Sequence, residues 1–326
     1  MDATRRRVVR GAGVALLVVT APAHAQRPAA LPRVGFLTPG KNPREDSFWA
    51  GMRELGYVDG RSMLVDRRSA EGDFARLPGL AADIVKGRPD VFVAIASAAA
   101  VAAKQATATI PIVIVGGADP VGAGLATSLA RPGGNVTGTA TQTTAAWGKL
   151  LQLTREVRPH ARRVAALWNP VNAISAQLRL GETLIAAARL NIFVRLIEVR
   201  TVDDLERAFV TLGAEPPDAV LVSADTFFLP HAALMAERAL AVRLPLLSTG
   251  RQVPESGGFA SYGPDQVLVA RRAATYVHRI LKGAKPGELS IEQPNKFELV
   301  INLRTAEALG MTLPASVIAR ADAVIR

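Results

Sequence analysis

The feature that most limits the fold is an order of short apolar runs that the chain passes through twice. Val34-Gly35-Phe36-Leu37 returns as Val164-Ala165-Ala166-Leu167, and Pro89-Asp90-Val91-Phe92 returns as Pro217-Asp218-Ala219-Val220. Ile110-Pro111-Ile112-Val113 returns as Leu244-Pro245-Leu246-Leu247. The three offsets are 130, 128 and 134 residues, close enough to constant to predict two units of like topology. Within each unit, β-branched runs alternate with helical stretches such as Ser47–Leu55, Arg76–Lys86 and Val202–Leu212. That alternation predicts parallel sheets covered on both faces, so the fold class is α/β with two Rossmann-like parallel-sheet lobes.

The last part of the chain does not begin a third unit. A short run between glycines (257–263), a long helix (264–282), extended pieces (291–303) and two short helices (305–309 and 314–323) are too few for another lobe. They are expected to complete both sheets. The chain then crosses between lobes near Gly138, near Gly258 and near Pro294, which makes a three-crossover hinge. The expected division is an N-terminal lobe of 33–138 plus about 259–293, and a C-terminal lobe of 139–258 plus about 294–326.

The first 25 residues read as a targeting segment. Arg5-Arg6-Arg7 and Arg10 precede the apolar run Gly11–Thr20, and Ala23-His24-Ala25 fits a small-x-small cleavage site. The paired arginines suit a twin-arginine signal and also a general secretory one. The chain has no cysteine, so disulfides, thiol nucleophiles and a lipid anchor on a cysteine are excluded. The expected location is the periplasm, without a lipid anchor. The net charge of +11 becomes +8 without this segment, because it holds four arginines and one aspartate. No aromatic-studded basic cluster accompanies that charge, so it reads as a generally basic surface and no nucleic-acid partner is expected.

One stretch ties the first lobe to the crossing. Ile110–Val115 reads as a buried strand, followed by Gly116-Gly117-Ala118-Asp119-Pro120-Val121-Gly122-Ala123-Gly124 and then by Arg131-Pro132-Gly133-Gly134-Asn135-Val136-Thr137-Gly138. This stretch reads as the rim of a cleft plus the first hinge strand. Together with Gly51-Met52-Arg53-Glu54-Leu55-Gly56-Tyr57, Ile280-Leu281-Lys282-Gly283-Ala284-Lys285-Pro286, Val300-Ile301-Asn302-Leu303 and Ala306-Glu307-Ala308-Leu309-Gly310, it resembles the substrate-binding proteins of ABC transporters. The group it resembles includes tryptophan- and tyrosine-binding lipoproteins, and the similarity covers about 33–326. The resemblance implies a type I periplasmic binding fold that closes on a small ligand, delivers it to an ABC permease in the inner membrane and works as a monomer. It implies an amino-acid-like ligand, aromatic ones included. A ligand-sensing module for a membrane receptor is the alternative reading, and an enzyme on the same scaffold a less favoured one.

Ligands of open α/β sheets bind at the carboxyl ends of the strands. Those ends supply the candidate ligand-binding residues Thr38, Ser97, Ala98 and Asp119 in the first lobe, and Trp168, Asn169, Asp225 and Thr249 in the second, with Asn172 nearby. Ser97 opens a small-residue helix and reads equally as a carboxylate clamp or a plain helix cap. Asp225, seven residues after Asp218 as Ser97 is after Asp90, reads as a partner for an ammonium group or as a cap. Asp119 fits an Asx-turn inside the glycine loop at least as well as a ligand contact. Trp49, Trp147 and Tyr262 are stacking candidates that packing explains more simply, and Trp168 is the better-placed aromatic.

Catalytic signatures are missing from the sequence. Beyond the targeting segment only His160, His231 and His278 occur, none at metal-ligand spacing. There is no Gly-x-Ser-x-Gly elbow, dinucleotide fingerprint or P-loop, so neither a cofactor nor a metal is expected.

Overall fold

The computed structural model describes residues 30–141, 143–170, 181 and 183–326. The targeting segment, Asn172 and the first part of the helix expected over 176–188 lie outside the described residues. From Leu31 onward the chain forms one compact unit holding two sheets.

The first sheet has five parallel strands: β1 (Arg33–Thr38), β2 (Leu64–Ser69), β3 (Val91–Ile95), β4 (Ile112–Gly117) and β5 (Val136–Ala140). Their spatial order is β2-β1-β3-β4-β5. Helices α1 (Pro43–Glu54), α2 (Leu77–Lys86) and α3 (Ala96–Ala106) connect them. β3 is buried along its whole length, as its unbroken apolar run requires of a central parallel strand. Alternate residues of β1 enter different cores: Phe36 packs with Phe48 and Met52, whereas Leu37 packs with Ile84 and Phe92. Each fully buried phenylalanine stabilises the lobe by about 1.5–3 kcal/mol.

The second sheet repeats this order and extends it. Its strands are β6 (Arg163–Trp168), β7 (Phe193–Glu198), β8 (Ala219–Val222), β9 (Leu246–Ser248), β10 (Ala260–Pro264), β11 (Phe297–Asn302) and β12 (Ala323–Ile325). The order is β12-β11-β10-β9-β8-β6-β7, so β7-β6-β8-β9-β10 matches β2-β1-β3-β4-β5 strand for strand. Among the described strands, only β10 and β11 pair antiparallel. Helices α4 (Thr143–Val157), α5 (Val202–Ala214), α6 (Ala232–Ala241), α7 (Gln252–Glu255), α8 (Gln266–Leu281), α9 (Leu303–Ala308) and α10 (Ala315–Ala319) complete the described elements.

The strand at 260–264 corrects the expected lobe division. It pairs with β9 and β11, so it belongs to the second sheet and not, as the glycines around it suggested, to the first. Those glycines serve packing. A Cβ on Gly258 would lie 2.4 Å from Val253 Cγ1, and Gly257 sits at φ +101°, a conformation suited to glycine. The second crossing therefore falls at Asp265, between β10 and α8. α8 then returns to the first lobe and packs along α1, with Ala273 and Val277 in the same core as Phe36 and Met52.

The first crossing also falls slightly beyond its expected place, and the third falls at Pro294 as expected. Gly138 lies inside β5, and its φ of +125° and missing Cβ let it sit against Ile114 of β4. The chain leaves this sheet only after Ala140. On the way back, Glu292 donates its N–H to Gly138 and its carbonyl accepts from Ala140, and residues 293–296 then lead to β11. Thr139, Asp265, Glu292 and Pro294 line one cavity of about 300 Å³, so the three crossings lie side by side.

Candidate functional site

The rim of the first lobe begins at Thr38. Its hydroxyl donates to the Gly40 carbonyl at 2.7 Å and shapes the turn into α1. That helix starts at Pro43, four residues before the start expected from the sequence, with Asn42 as its N-cap. Proline suits the first helical position because its missing N–H has no partner there anyway. Asn42 Oδ1 accepts the Arg44 N–H at 2.9 Å.

The added turn carries Arg44, which the sequence reading missed. Arg44 stands one turn before Phe48 and two before Met52, in line with the buried stripe, and is itself 3% exposed. A charged residue in register with an apolar stripe was the signal available for it. Its Nε donates to Gln266 Oε1 at 2.5 Å, and its side chain lies against Gly116 of β4. Burial pulls its pKa down to about 10, and the Asp225 carboxylate of the second lobe acts in the opposite direction. The guanidinium remains protonated at neutral pH.

Asp225 is also 3% exposed. It follows β8, and its Oδ1 accepts the Phe227 N–H at 2.9 Å, which turns the loop toward the helical residues beyond. Thr249, at the end of β9, accepts the Ala224 N–H at 2.8 Å and so fixes the loop that carries Asp225. The first lobe has the corresponding tie: Ser97 Oγ accepts the Ala118 N–H at 2.9 Å, joining the start of α3 to the loop after β4. Ser97 is the second residue of α3, and no side chain caps that helix. Its hydroxyl therefore braces the rim and does not cap the helix.

The remaining sequence-derived residues divide clearly. Asp119 Oδ1 accepts from the Val121 and Gly122 N–H groups at 3.1 and 2.9 Å, an Asx-turn. Ala98 is half-buried on α3, Trp168 is half-buried at the end of β6, and Asn169 beside it is buried. Trp49 packs into the core at 4.9 Å from both Phe36 and Phe48, and Trp147 belongs to the second lobe's core. Tyr262 stacks on Phe297 with centroids 5.6 Å apart. Arg44 and Asp225 are thus brought together from two lobes, while Ser97 and Thr249 hold the loops on either side.

Several buried polar atoms near these groups lack a partner: Asn42 Nδ2 and Gln266 Nε2 on the first lobe, and Thr226 Oγ1 and Gln252 Oε1 on the second. Buried polar atoms are nearly always paired, so such a set at a cleft marks places a ligand can satisfy. Among the described residues, no group of histidine, aspartate and glutamate could hold a metal ion. Among them too, no helix is long and apolar enough to cross a membrane.

Known proteins share this architecture. A tyrosine-binding protein of Clostridioides difficile (strain R20291) is 26% identical over 273 residues, which span 84% of this chain and 78% of that protein. The crystal structure of a conserved domain protein from Vibrio cholerae O1 biovar El Tor is 29% identical and superposes with a TM-score of 0.83, covering 90% of this chain and 99% of that one. An ABC domain from Streptococcus pneumoniae in complex with L-Trp is 25% identical with a TM-score of 0.82, covering 91% of this chain and all of the other. The model of the family described as ABC transporter substrate binding protein matches residues 38–325, and the chain belongs to that family.

Proposed function

We propose that the chain captures a small amino-acid-like ligand between its lobes and delivers it to an ABC permease. The observation that carries this reading is the pair of opposite charges, Arg44 and Asp225, buried at facing rims. A zwitterion has one group for each. The L-Trp complex and the tyrosine-binding relative support an aromatic amino acid as the ligand class. Trp168 at the end of β6 offers a half-buried ring for such a side chain, with Asn169 beside it.

The lobes act as two bodies that close by rotation at the crossings after Ala140, at Asp265 and at 293–296. The ligand favours closure because only the closed form brings both charges to it, and differential affinity is all that such a shift requires. No chemical step is involved. Thr38, Ser97, Asp119 and Thr249 hold the rims in shape, and Ala98 leaves room beside Ser97. The targeting segment sends the chain out of the cytoplasm as a monomer without a lipid anchor.

A thermal-shift screen of the mature chain against the amino acids tests this reading. An aromatic amino acid raises the melting temperature, and isothermal titration returns one site. A screen in which no amino acid shifts the transition would overturn the ligand class.

A further inference from the structure

Two helices direct their amino ends at one buried arginine. α1 and α8 run parallel, since Arg44 meets Gln266, Gly51 meets Arg271 and Ala274, and Tyr57 meets His278. Gly51 permits the close approach, because a Cβ there would lie 3.0 Å from the Arg271 carbonyl oxygen. Both helix starts therefore sit at the first-lobe rim beside Arg44, α1 capped by Asn42 and α8 by Asp265, whose carboxylate accepts the Val267 and Leu268 N–H groups.

Arg44 also fixes the direction of two amides. Asn42 Oδ1 is committed to the Arg44 backbone N–H, so its Nδ2 must point elsewhere. Gln266 Oε1 is committed to Arg44 Nε, which can only donate, so its Nε2 likewise points elsewhere. Asn42 and Gln266 are 5% and 4% exposed, and both nitrogens are buried without a partner. Neither amide can be flipped to relieve this without setting a donor against the N–H that it now accepts.

What remains open around Arg44 is thus two amide donors and a cation whose opposing charge sits on the other lobe. We propose that Asn42, Arg44 and Gln266 form the subsite that selects the ligand's carboxylate, leaving the ammonium group to the Asp225 side. This rests on the reading of the cleft as a solute site, and it puts the carboxylate beside the buried cation; Ser97 accepts the Ala118 N–H through its oxygen and keeps its O–H as a further donor. A carboxylate has lone pairs enough for both amides and the guanidinium.

Isosteric variants test the subsite without emptying it. Asn42→Asp and Gln266→Glu keep the oxygen that Arg44 uses and replace the outward donor with an acceptor. Aspartate is a good N-cap, so α1 keeps its start. Titrations use L-tryptophan, indole-3-propionate (acid without amine) and tryptamine (amine without acid). The wild-type chain binds both acids and binds tryptamine at least about 10-fold more weakly, the scale of a lost charge-assisted hydrogen bond. Each variant weakens both acids by a similar factor while its melting temperature stays within a few degrees of wild type. Tryptamine binding as tightly as L-tryptophan, or variants that bind the acids unchanged, would overturn the proposal. If no aromatic compound binds the wild type, the same three proteins are screened with small carboxylic acids and their primary amides. Shifts by acids alone, lost in the variants, sustain the subsite even though the aromatic reading has failed. Equal shifts by acids and amides, or no shift by any acid, overturn the subsite itself.

Discussion

The two rims of the cleft share a scaffold and differ in charge. In the first lobe Ser97 reaches from the start of α3, just after β3, to the Ala118 N–H after β4; in the second, Thr249 reaches from the loop after β9 to the Ala224 N–H after β8. The strand orders match, so these are equivalent loop pairs tied in opposite senses. Beyond the ties the likeness ends. The first rim gathers Arg44, Asn42 and Gln266, and the second offers Asp225. Repetition supplies the frame, while the charge differs at equivalent places: Asp225 stands in the second lobe where Ser97 stands in the first.

Removing the charge of one rim is the largest perturbation. Arg44→Met should reduce ligand affinity by about 2–5 kcal/mol, the range for truncating one partner of a buried charge pair. The empty chain should also melt lower than wild type, since the buried Asp225 loses the cation that faces it and Gln266 Oε1 loses its donor. Titration and calorimetry on the same variant separate these effects, and a large fall in melting temperature with affinity intact would reverse the assignment.

Asp225→Asn should cost less, about 1.5–3 kcal/mol in the binding of a zwitterion, because the amide oxygen still accepts from Phe227. The same variant should leave the affinity for an amine-free acid almost unchanged. An equal loss for both ligands would show that the second rim does not read the ammonium group.

The ties test how far the rims are equivalent. Ser97→Ala and Thr249→Val each leave one backbone N–H without its acceptor, a cost of about 1–3 kcal/mol in stability where the group is buried. Ala118 is buried and Ala224 only half-buried, so the first-lobe variant should be the more destabilised in denaturant titrations. The reverse order would mean that the ties bear different loads.

Acid gives the smallest contrast. Three carboxylates of the second lobe are held below the usual range, Asp204 by N–H groups of Arg200 and Thr201, Glu206 by Arg238 and Asp322 by the Leu299 N–H, against one in the first lobe, Asp83 beside Lys86. Stability from such groups is present above their unfolded-state pKa and is lost as pH falls through the folded-state one. Glu45 in the first lobe is shifted upward by burial, so its protonation relieves a cost. Hydrogen exchange followed by mass spectrometry, corrected for intrinsic rates, should therefore show second-lobe protection falling first below about pH 4.

The frame was legible in the sequence because its signals are local. β-Branched runs, helix-ending glycines and constant offsets needed no knowledge of distant contacts. Asp119 was legible for the same reason, since its bonds run to residues two and three positions along. The strand at 260–264 was assigned to the wrong lobe because Gly257 and Gly258 resemble a hinge, although they only relieve crowding against Val253 and a left-handed turn. Arg44 escaped because Asn42-Pro43 reads as loop until it is recognised as a helix start. Its relation to Asp225, 181 residues away, arises only when two lobes meet. Ser97 stood at a plausible anion site, but its acceptor role toward Ala118 depends on a neighbouring loop 21 residues on.

A crystal structure of the mature chain, grown with whichever amino acid gives the largest thermal shift, tests the central claim most directly. The density should show the carboxylate among Asn42, Arg44 and Gln266, with the ammonium group toward Asp225. A ligand bound in the opposite orientation, or held by Ser97 with Arg44 untouched, would contradict the division of charge between the rims.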